Sequence, residues 1–102
     1  MKKVINGKTY NTETATEIGN YYNGLGSGDF RNISESLYVT KKGTYFTAGE
    51  GGPMTKYAEH YGNSSSNGEG MEILSKEEAL QWCESHDIDA DTTAEYFDIE
   101  EG

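Results

Sequence analysis

An acidic stretch late in the chain has the residue types of a calcium-binding loop. The segment DIDADTTAEYFD covers residues 87–98. In the EF-hand loop, oxygen ligands come from positions 1, 3, 5, 7, 9 and 12, and position 6 is a glycine. The segment therefore permits a calcium site, in which carboxylates fill five of these positions: Asp87, Asp89, Asp91, Glu95 and Asp98.

The same acids are also typical of a helix start. Position 6 of the loop is Thr92 rather than glycine, and only residues 99–102 follow where an exit helix would run. Asp89 or Asp91 could instead accept amide hydrogen bonds at a helix N-terminus, where early acidic residues favour the positive end of the helix dipole. We expect a capped helix here, with calcium binding by Asp87, Asp89, Asp91 and Asp98 as the alternative.

Cys83 and His86 raise the possibility of a zinc site or of a catalytic dyad. Zinc needs further ligands, and His60 is the remaining nitrogen or sulfur candidate. A nucleophilic Cys/His pair would need a third, orienting group and an oxyanion donor, and no motif supplies them. We therefore expect Cys83 in the core and His86 at a helix end, with no catalytic residues, no metal and no cofactor.

Charge is distributed unevenly along the chain. The formal net charge is −10; residues 1–68 hold seven Lys and Arg against six Asp and Glu, whereas residues 69–102 hold one, Lys76, against twelve. Such an acidic field attracts basic surfaces and repels nucleic acid and anionic membranes. The alternative is that these acids form a solvated helix face that only keeps the protein soluble.

Hairpin signals dominate the first two thirds of the chain. Asn6-Gly7 in VINGKTY predicts a type I′ hairpin, because both turn positions need positive φ. A second hairpin is predicted in ESLYVTKKGTYFTAGE, with its turn at residues 41–43, and MEILS predicts a short strand. Residues 23–30, rich in glycine, and residues 63–70 are predicted to be loops.

Short helices are predicted at residues 12–18 and at residues 53–61, where Pro53 suits a first helical position. Ser75 and Glu78 form the S-x-x-E pattern of a capping box before KEEALQWCESH. In that helix, the spacing of four residues directs their side chains toward the core. A final short helix is expected to bury two further side chains. The inward positions are Ala79, Trp82, Cys83 and His86 in the former and Ala94 and Phe97 in the latter.

These elements predict one α+β domain covering residues 1–102, in which hairpins form a small antiparallel sheet covered by two or three short helices. Its near-neutral, β-rich part is residues 1–68 and its acidic, mainly helical part is residues 69–102. The hydrophobic fraction of 33% indicates a thin core. No apolar run after the starting lysines suits a signal peptide, and no segment approaches the length of a membrane span, so we expect a cytoplasmic protein. The single cysteine fits a reducing compartment.

Lysines near the predicted turns could be interpreted as a nucleic-acid patch. They stand close to tyrosines that could stack on bases. Turn lysines also protect sheet edges, and the whole chain is acidic, so we expect no direct nucleic-acid binding. The residues concerned are Lys2, Lys3, Lys8, Lys41 and Lys42.

Four segments carry a resemblance to a known group of proteins: INGKTYNTETATEIGNYYNG, SLYVTKKGTYF, GEGGPMTKYAE and ILSKEEALQW. In these motifs the chain resembles a family of small acidic proteins encoded by mobile elements and phages of Firmicutes and related gut bacteria. Small acidic proteins from that setting include anti-CRISPR inhibitors of RNA-guided nucleases. The resemblance thus implies an inhibitor of mobile-element origin.

The charge map and the resemblance lead to one functional expectation. We expect a non-enzymatic inhibitor or adaptor whose acidic surface blocks the nucleic-acid channel of a CRISPR effector nuclease or of another protein with a basic surface. The alternative is a protein-binding module that uses Tyr57 and Tyr61 in a loop rich in glycine and tyrosine. The expected contact residues for the first function are Glu77, Glu78, Glu84, Asp87, Asp89, Asp91 and Glu95.

Overall fold

A four-stranded antiparallel sheet forms the centre of the computed structural model, which describes residues 1–26 and 28–102. Two separate hairpins and two helices complete it, so the predicted α+β fold is confirmed. The elements are β1 (Lys2–Ile5), β2 (Lys8–Asn11), β3 (Thr16–Tyr22), β4 (Ile33–Val39), β5 (Tyr45–Gly51), β6 (Glu59–Tyr61), β7 (Ser64–Ser66), β8 (Gly68–Leu74), α1 (Lys76–Ser85) and α2 (Ala90–Tyr96). The strand order of the central sheet is β3-β4-β5-β8.

The central sheet has a hydrophobic core on each face. Alternate residues of a strand point to opposite faces, so Leu37 and Tyr38 on β4 belong to different cores. Leu37 packs with residues of α1 and with Phe97 just after α2. Tyr38 packs with Phe46 and, through it, with Tyr10 of the β1–β2 hairpin. The helices therefore cover one face of the sheet, and the β1–β2 hairpin covers part of the other.

The turns and the helix cap that depend only on residues close in sequence form as predicted. Asn6 and Gly7 have φ angles of 52° and 76° and join β1 to β2, as a type I′ hairpin requires. The second predicted hairpin is β4–β5, in which Gly43 has a φ of 89°. Ser75 and Glu78 form both hydrogen bonds of the capping box at the start of α1.

The helix predicted at residues 12–18 is wrong. The side chain of Asn11 accepts a hydrogen bond from the amide of Glu13, but it caps a turn and not a helix. Residues 16–22 instead form β3, which pairs with β4. This segment is rich in threonine, isoleucine and tyrosine, which suit a pleated strand, and pairing with β4 outweighs the local helix signal.

The helix predicted at residues 53–61 is also wrong, as is the loop predicted at residues 63–70. Pro53 lies in a series of turns, and β6 and β7 form a small hairpin that leads into β8. Gly62 has a φ of 59° and supplies the positive φ that the first position of a two-residue hairpin loop needs. The Gly62-Asn63 pair between two strands is the sequence signal for this hairpin.

Three smaller predictions have mixed outcomes. The glycine-rich segment is irregular at residues 23–26 and 28–30, and its Ser27 lies outside the described residues. At α2, Phe97 is buried as expected, whereas Ala94 is exposed and Thr93 takes the inward position. Neither helix in the described part of the chain combines the length and apolarity needed to cross a bilayer.

Candidate functional site

Seven carboxylates lie exposed along α1, α2 and the loop between them, and we call them the acidic surface. The structure thus exposes every acid that the sequence selected as a partner contact. Within residues 1–26 and 28–102, none of these carboxylates lies within 4.0 Å of a lysine, arginine or histidine nitrogen. The members are Glu77, Glu78, Glu84, Asp87, Asp89, Asp91 and Glu95.

The two ends of the α1 surface carry Glu77 and Glu84. These residues are seven apart, which corresponds to about two helical turns, so their side chains share one side of the helix. The opposite side of α1 buries Ala79, Trp82 and Cys83 against the sheet. Docking of the apolar side therefore turns both carboxylates outward.

Three members of the acidic surface also stabilise their own helices. Glu78 accepts a hydrogen bond from the amide of Ser75 at 2.9 Å as part of the capping box. Asp89 is the N-cap of α2 and accepts a hydrogen bond from the amide of Thr92 at 3.2 Å. Asp87 ends α1 in the left-handed conformation, with a φ of 53°.

The conformation of Asp87 explains how α1 stops. The amide of Ile88 donates to the carbonyl of Cys83 at 3.0 Å, which is the backbone pattern of a Schellman motif. The left-handed residue in this motif is usually glycine, and aspartate is among the few other residues that tolerate it. Asp87 thus sets the direction of the chain between α1 and α2.

These roles bear on the calcium interpretation. Asp87 ends one helix and Asp89 begins the next, so local helix capping accounts for both. Asp91 and Asp98 are exposed beside them. Across the described parts of the chain, no three His, Cys, Asp or Glu side chains are grouped so that they could hold a metal ion.

Beneath α1 lies a buried carboxylate that the sequence analysis did not select. Glu35 on β4 is 5% exposed. One of its oxygens, Oε2, accepts a hydrogen bond from the Tyr57 hydroxyl at 2.6 Å, and Oε1 accepts one from Trp82 Nε1 at 2.8 Å. The network therefore joins the sheet, the turn region before β6 and helix α1.

Two cationic or titratable side chains complete this network. Lys56 Nζ lies 3.0 Å from Glu35 Oε2 and 3.7 Å from a carboxylate oxygen of Glu72. His86 Nε2 lies 3.7 Å from Glu35 Oε1, and its ring stacks on Tyr21 with 3.9 Å between the ring centroids. We refer to Glu35, Tyr57, Trp82, Lys56 and His86 as the Glu35 network.

The pKa shifts in the network follow from burial and hydrogen bonding. Burial opposes ionisation of Glu35, but hydrogen bonds from Tyr57, Trp82 and Lys56, together with the lysine charge, outweigh it and lower its pKa. Burial and the Glu35 carboxylate raise the pKa of Tyr57 above its usual range. Burial lowers the pKa of His86 despite the neighbouring carboxylate. The network is thus an ionised carboxylate held by donors, beside a neutral imidazole.

A cavity of about 290 Å³ borders the Glu35 network and is partly lined by Gln81 and Ser85 of α1. Each oxygen of Glu35 already accepts a short hydrogen bond, and an ionised carboxylate with a lowered pKa is a poor proton acceptor at neutral pH. The arrangement therefore positions α1 rather than offering a reactive group.

The unfolding free energy is expected to decrease in two steps as the pH falls. The unfolded chain takes up a proton at His86 near pH 6.5, above the lowered pKa of the folded state, so stability is lost as the pH falls below 6.5. Glu35 adds a second loss below pH 4.5 for the same reason. Urea unfolding between pH 8 and 3.5 measures both steps. His86→Gln should abolish the upper step alone, and an upper step that persists in this variant contradicts the assignment.

The zinc and dyad candidates have different surroundings. Cys83 is 1% exposed, and burial raises the pKa of its thiol. His60 is on the exposed β6–β7 hairpin, where its Nδ1 lies 2.9 Å from Ser65 Oγ. His86 belongs to the Glu35 network. A buried, protonated thiol suits the core position that the sequence predicts for Cys83.

The two tyrosines of the alternative binding loop have different surroundings. Tyr57 is buried and donates its hydroxyl hydrogen bond to Glu35. Tyr61 is 65% exposed on β6, and its hydroxyl donates to Glu59 at 2.6 Å. Only Tyr61 of this pair therefore lies on the surface.

The five lysines considered for nucleic-acid contact are exposed in the β1–β2 hairpin and in the turn between β4 and β5. The β1–β2 hairpin packs on the sheet face opposite the helices. Lysines of that hairpin and the acidic surface thus belong to opposite sides of the central sheet.

Glu35 carried a sequence signal that could have revealed it. It precedes Leu37 and Val39 by two and four residues, so it falls on the inward face of β4 in the same alternation. A charged residue at an inward strand position indicates a buried partner. Lys56 carried no comparable local signal.

No protein-family model, curated protein or solved structure matches the chain.

Proposed function

We propose that this protein is a non-enzymatic inhibitor or adaptor whose acidic surface occupies the basic nucleic-acid channel of a protein partner, specifically a CRISPR effector nuclease. The observation that carries the proposal is the exposure of seven carboxylates along α1, α2 and the loop between them, none of which lies within 4.0 Å of a basic side-chain nitrogen in the described residues. An acidic surface neutralised by its own lysines would have little charge left for a partner.

The charge arrangement supports competition with nucleic acid. Double-stranded DNA carries about one negative charge per 1.7 Å of its axis, and proteins that hold it use rows of lysine and arginine. Carboxylates spread over two short helices can pair with the same side chains. Occupation of the channel then excludes the duplex or the guide.

The Glu35 network supports the proposal by fixing the helix that carries the acids. Trp82 and His86 both belong to the α1 region and both contact Glu35, so α1 is attached to β4 by polar as well as apolar contacts. A rigid surface loses less conformational entropy when it binds. The backbone that carries the α1 carboxylates is thus held in place before the partner arrives.

Charge reversal tests the proposal. The variant carries Glu77→Lys, Glu84→Lys and Glu95→Lys, which avoids the three acids with capping roles. Each reversal adds two positive charges, so the formal net charge changes from −10 to −4. Inhibition of DNA cleavage by an RNA-guided nuclease is expected to fall by about 100-fold, because like charges placed across an interface cost several kcal/mol. Binding of the unmodified protein should also weaken steeply as salt rises.

A matched variant separates surface recognition from net charge. Glu13→Lys, Glu17→Lys and Glu50→Lys change three exposed acids outside the acidic surface and give the same net charge. This control should retain inhibition, and both variants should keep the unfolding midpoint within a few degrees. Equal inhibition by the two variants would refute the proposal.

Two exposed apolar side chains favour a second candidate function, a protein-binding module. Met54 is 68% exposed in the turn region before β6, and Tyr61 is exposed on β6 itself. If Met54→Ser with Tyr61→Ser abolishes partner binding while reversal of the acidic surface leaves it intact, this second function replaces the first. Salt should then have little effect on affinity.

A further inference from the structure

A groove of about 530 Å³ lies between the β1–β2 hairpin and the turn that joins β4 to β5. Its lining includes Lys8, Lys41 and Lys42, and no aspartate or glutamate lines it in the described part of the chain. None of the three ammonium groups lies within 4.0 Å of a carboxylate among residues 1–26 and 28–102. In a chain of net charge −10, this places three uncompensated positive charges around one concavity.

Both elements that carry these lysines are closed by hydrogen bonds. In the β4–β5 turn, the Thr40 amide donates to the Thr44 carbonyl at 2.9 Å, and the Thr44 amide donates to Thr40 Oγ1 at 3.1 Å. Lys8 is the first residue of β2 and pairs with Ile5 directly after the type I′ turn. The backbone therefore fixes the places on the chain from which the three lysine side chains extend.

The rest of the groove suits a ligand larger than a single ion. Tyr10 and Ala15 contribute apolar surface, and Thr9 and Thr40 bring hydroxyl groups that can act as hydrogen-bond donors to the lining. Small-molecule sites typically have volumes of about 300–1,000 Å³, combining apolar walls with a few polar groups. The groove has these features together with an unusual excess of positive charge.

We infer that this groove binds a small, multiply charged phosphate ligand, such as a nucleoside triphosphate or an inorganic polyphosphate. Lysine ammonium groups and hydroxyl donors are recurrent phosphate contacts. A single negative charge would gain little here, because the net charge of the protein repels it. Several charges on adjacent phosphates can engage all three lysines at once, which outweighs the general repulsion. The site is independent of the acidic surface, since the β1–β2 hairpin and the helices cover opposite faces of the sheet.

Titration with inorganic tripolyphosphate, followed by amide NMR shifts at physiological salt, tests this inference. Saturable one-to-one binding is expected, with the largest shifts at residues 7–11 and 40–44. Lys41→Gln with Lys42→Gln should weaken binding by at least about tenfold, since charged hydrogen bonds are among the strongest polar contacts. Lys76→Gln, on α1 at the opposite face, is the single-charge control and should leave affinity unchanged.

Parallel titrations with adenosine triphosphate and with adenosine distinguish the sources of the phosphate. A nucleotide that binds more tightly than tripolyphosphate identifies the apolar wall as a base site, and equal affinities identify a polyphosphate site; adenosine alone should not bind. Shifts that fail to saturate, or equal losses in the turn variant and in Lys76→Gln, overturn the inference. The acidic-surface variant with reversed Glu77, Glu84 and Glu95 should still bind tripolyphosphate, so this result is separate from the test of the proposed function.

Discussion

Replacing Glu35 with alanine is expected to lower the free energy of unfolding by about 3–5 kcal/mol, because it leaves two buried donors without an acceptor and each such donor costs about 1–3 kcal/mol. The variant leaves the Tyr57 hydroxyl and Trp82 Nε1 without their acceptor, and both side chains are buried. Lys56 loses its closest carboxylate as well. Urea unfolding at pH 7, monitored by circular dichroism and by the single tryptophan, measures the change.

Glu72→Ala is the matched control for this prediction. Glu72 also lies near Lys56, at 3.7 Å, but its side chain is 56% exposed. Solvent-exposed pairs contribute little, so the control should change stability by less than about 0.5 kcal/mol. A Glu35→Ala protein within about 1 kcal/mol of the unmodified protein would show that the network adds little to stability.

Gly49→Ala is expected to be the second strongly destabilising change, with a loss of about 3 kcal/mol. A Cβ at this position would lie 2.5 Å from the Ser34 carbonyl oxygen and 2.6 Å from Glu35 Cβ. The backbone oxygen cannot move away without disturbing β4, because Gly49 pairs directly with Glu35 in the sheet. Thermal and urea unfolding of the purified variant provide the measurement.

Gly70 supplies an internal comparison for Gly49, since the two glycines pair directly across β5 and β8. A Cβ at Gly70 would come no closer than 3.5 Å to Tyr57, which is an ordinary contact. Gly70→Ala should therefore be neutral or slightly stabilising. Alanine lowers the conformational entropy of the unfolded chain, which can raise the free energy of unfolding by about 0.4–1 kcal/mol. Equal losses in the two variants would indicate a general need for glycine in these strands and would contradict the steric explanation.

Local sequence signals predicted those parts of the fold whose cause is local. The Asn6-Gly7 turn depends on two positive φ angles, and the capping box depends on residues three apart. Asp89 likewise caps α2 from within its own first turn. In contrast, residues 16–22 form a strand because β4 is available to pair with them. The sequence of the segment alone does not reveal this pairing partner.

The Glu35 network depends on contacts between distant residues. Glu35 is separated from Tyr57 by 22 residues and from Trp82 by 47. The exposure of the acids on α1 and α2 could be predicted from composition and charge, because an exposed acid on a short helix needs no distant partner. The burial of Glu35 and of Tyr57 could not be predicted in the same way, because both depend on contacts that exist only in the folded sheet.

The placement of opposite charge on the two sides of the central sheet gives the molecule a permanent electric dipole across that sheet. Helices with unneutralised carboxylates cover one face, and the lysine-bearing β1–β2 hairpin covers the other. Such a dipole exerts a torque in the field of a charged partner, so the protein rotates during diffusional approach. A positively charged channel would meet the helices first, before any contact forms. The alignment should raise the association rate at low ionic strength more than net charge alone would.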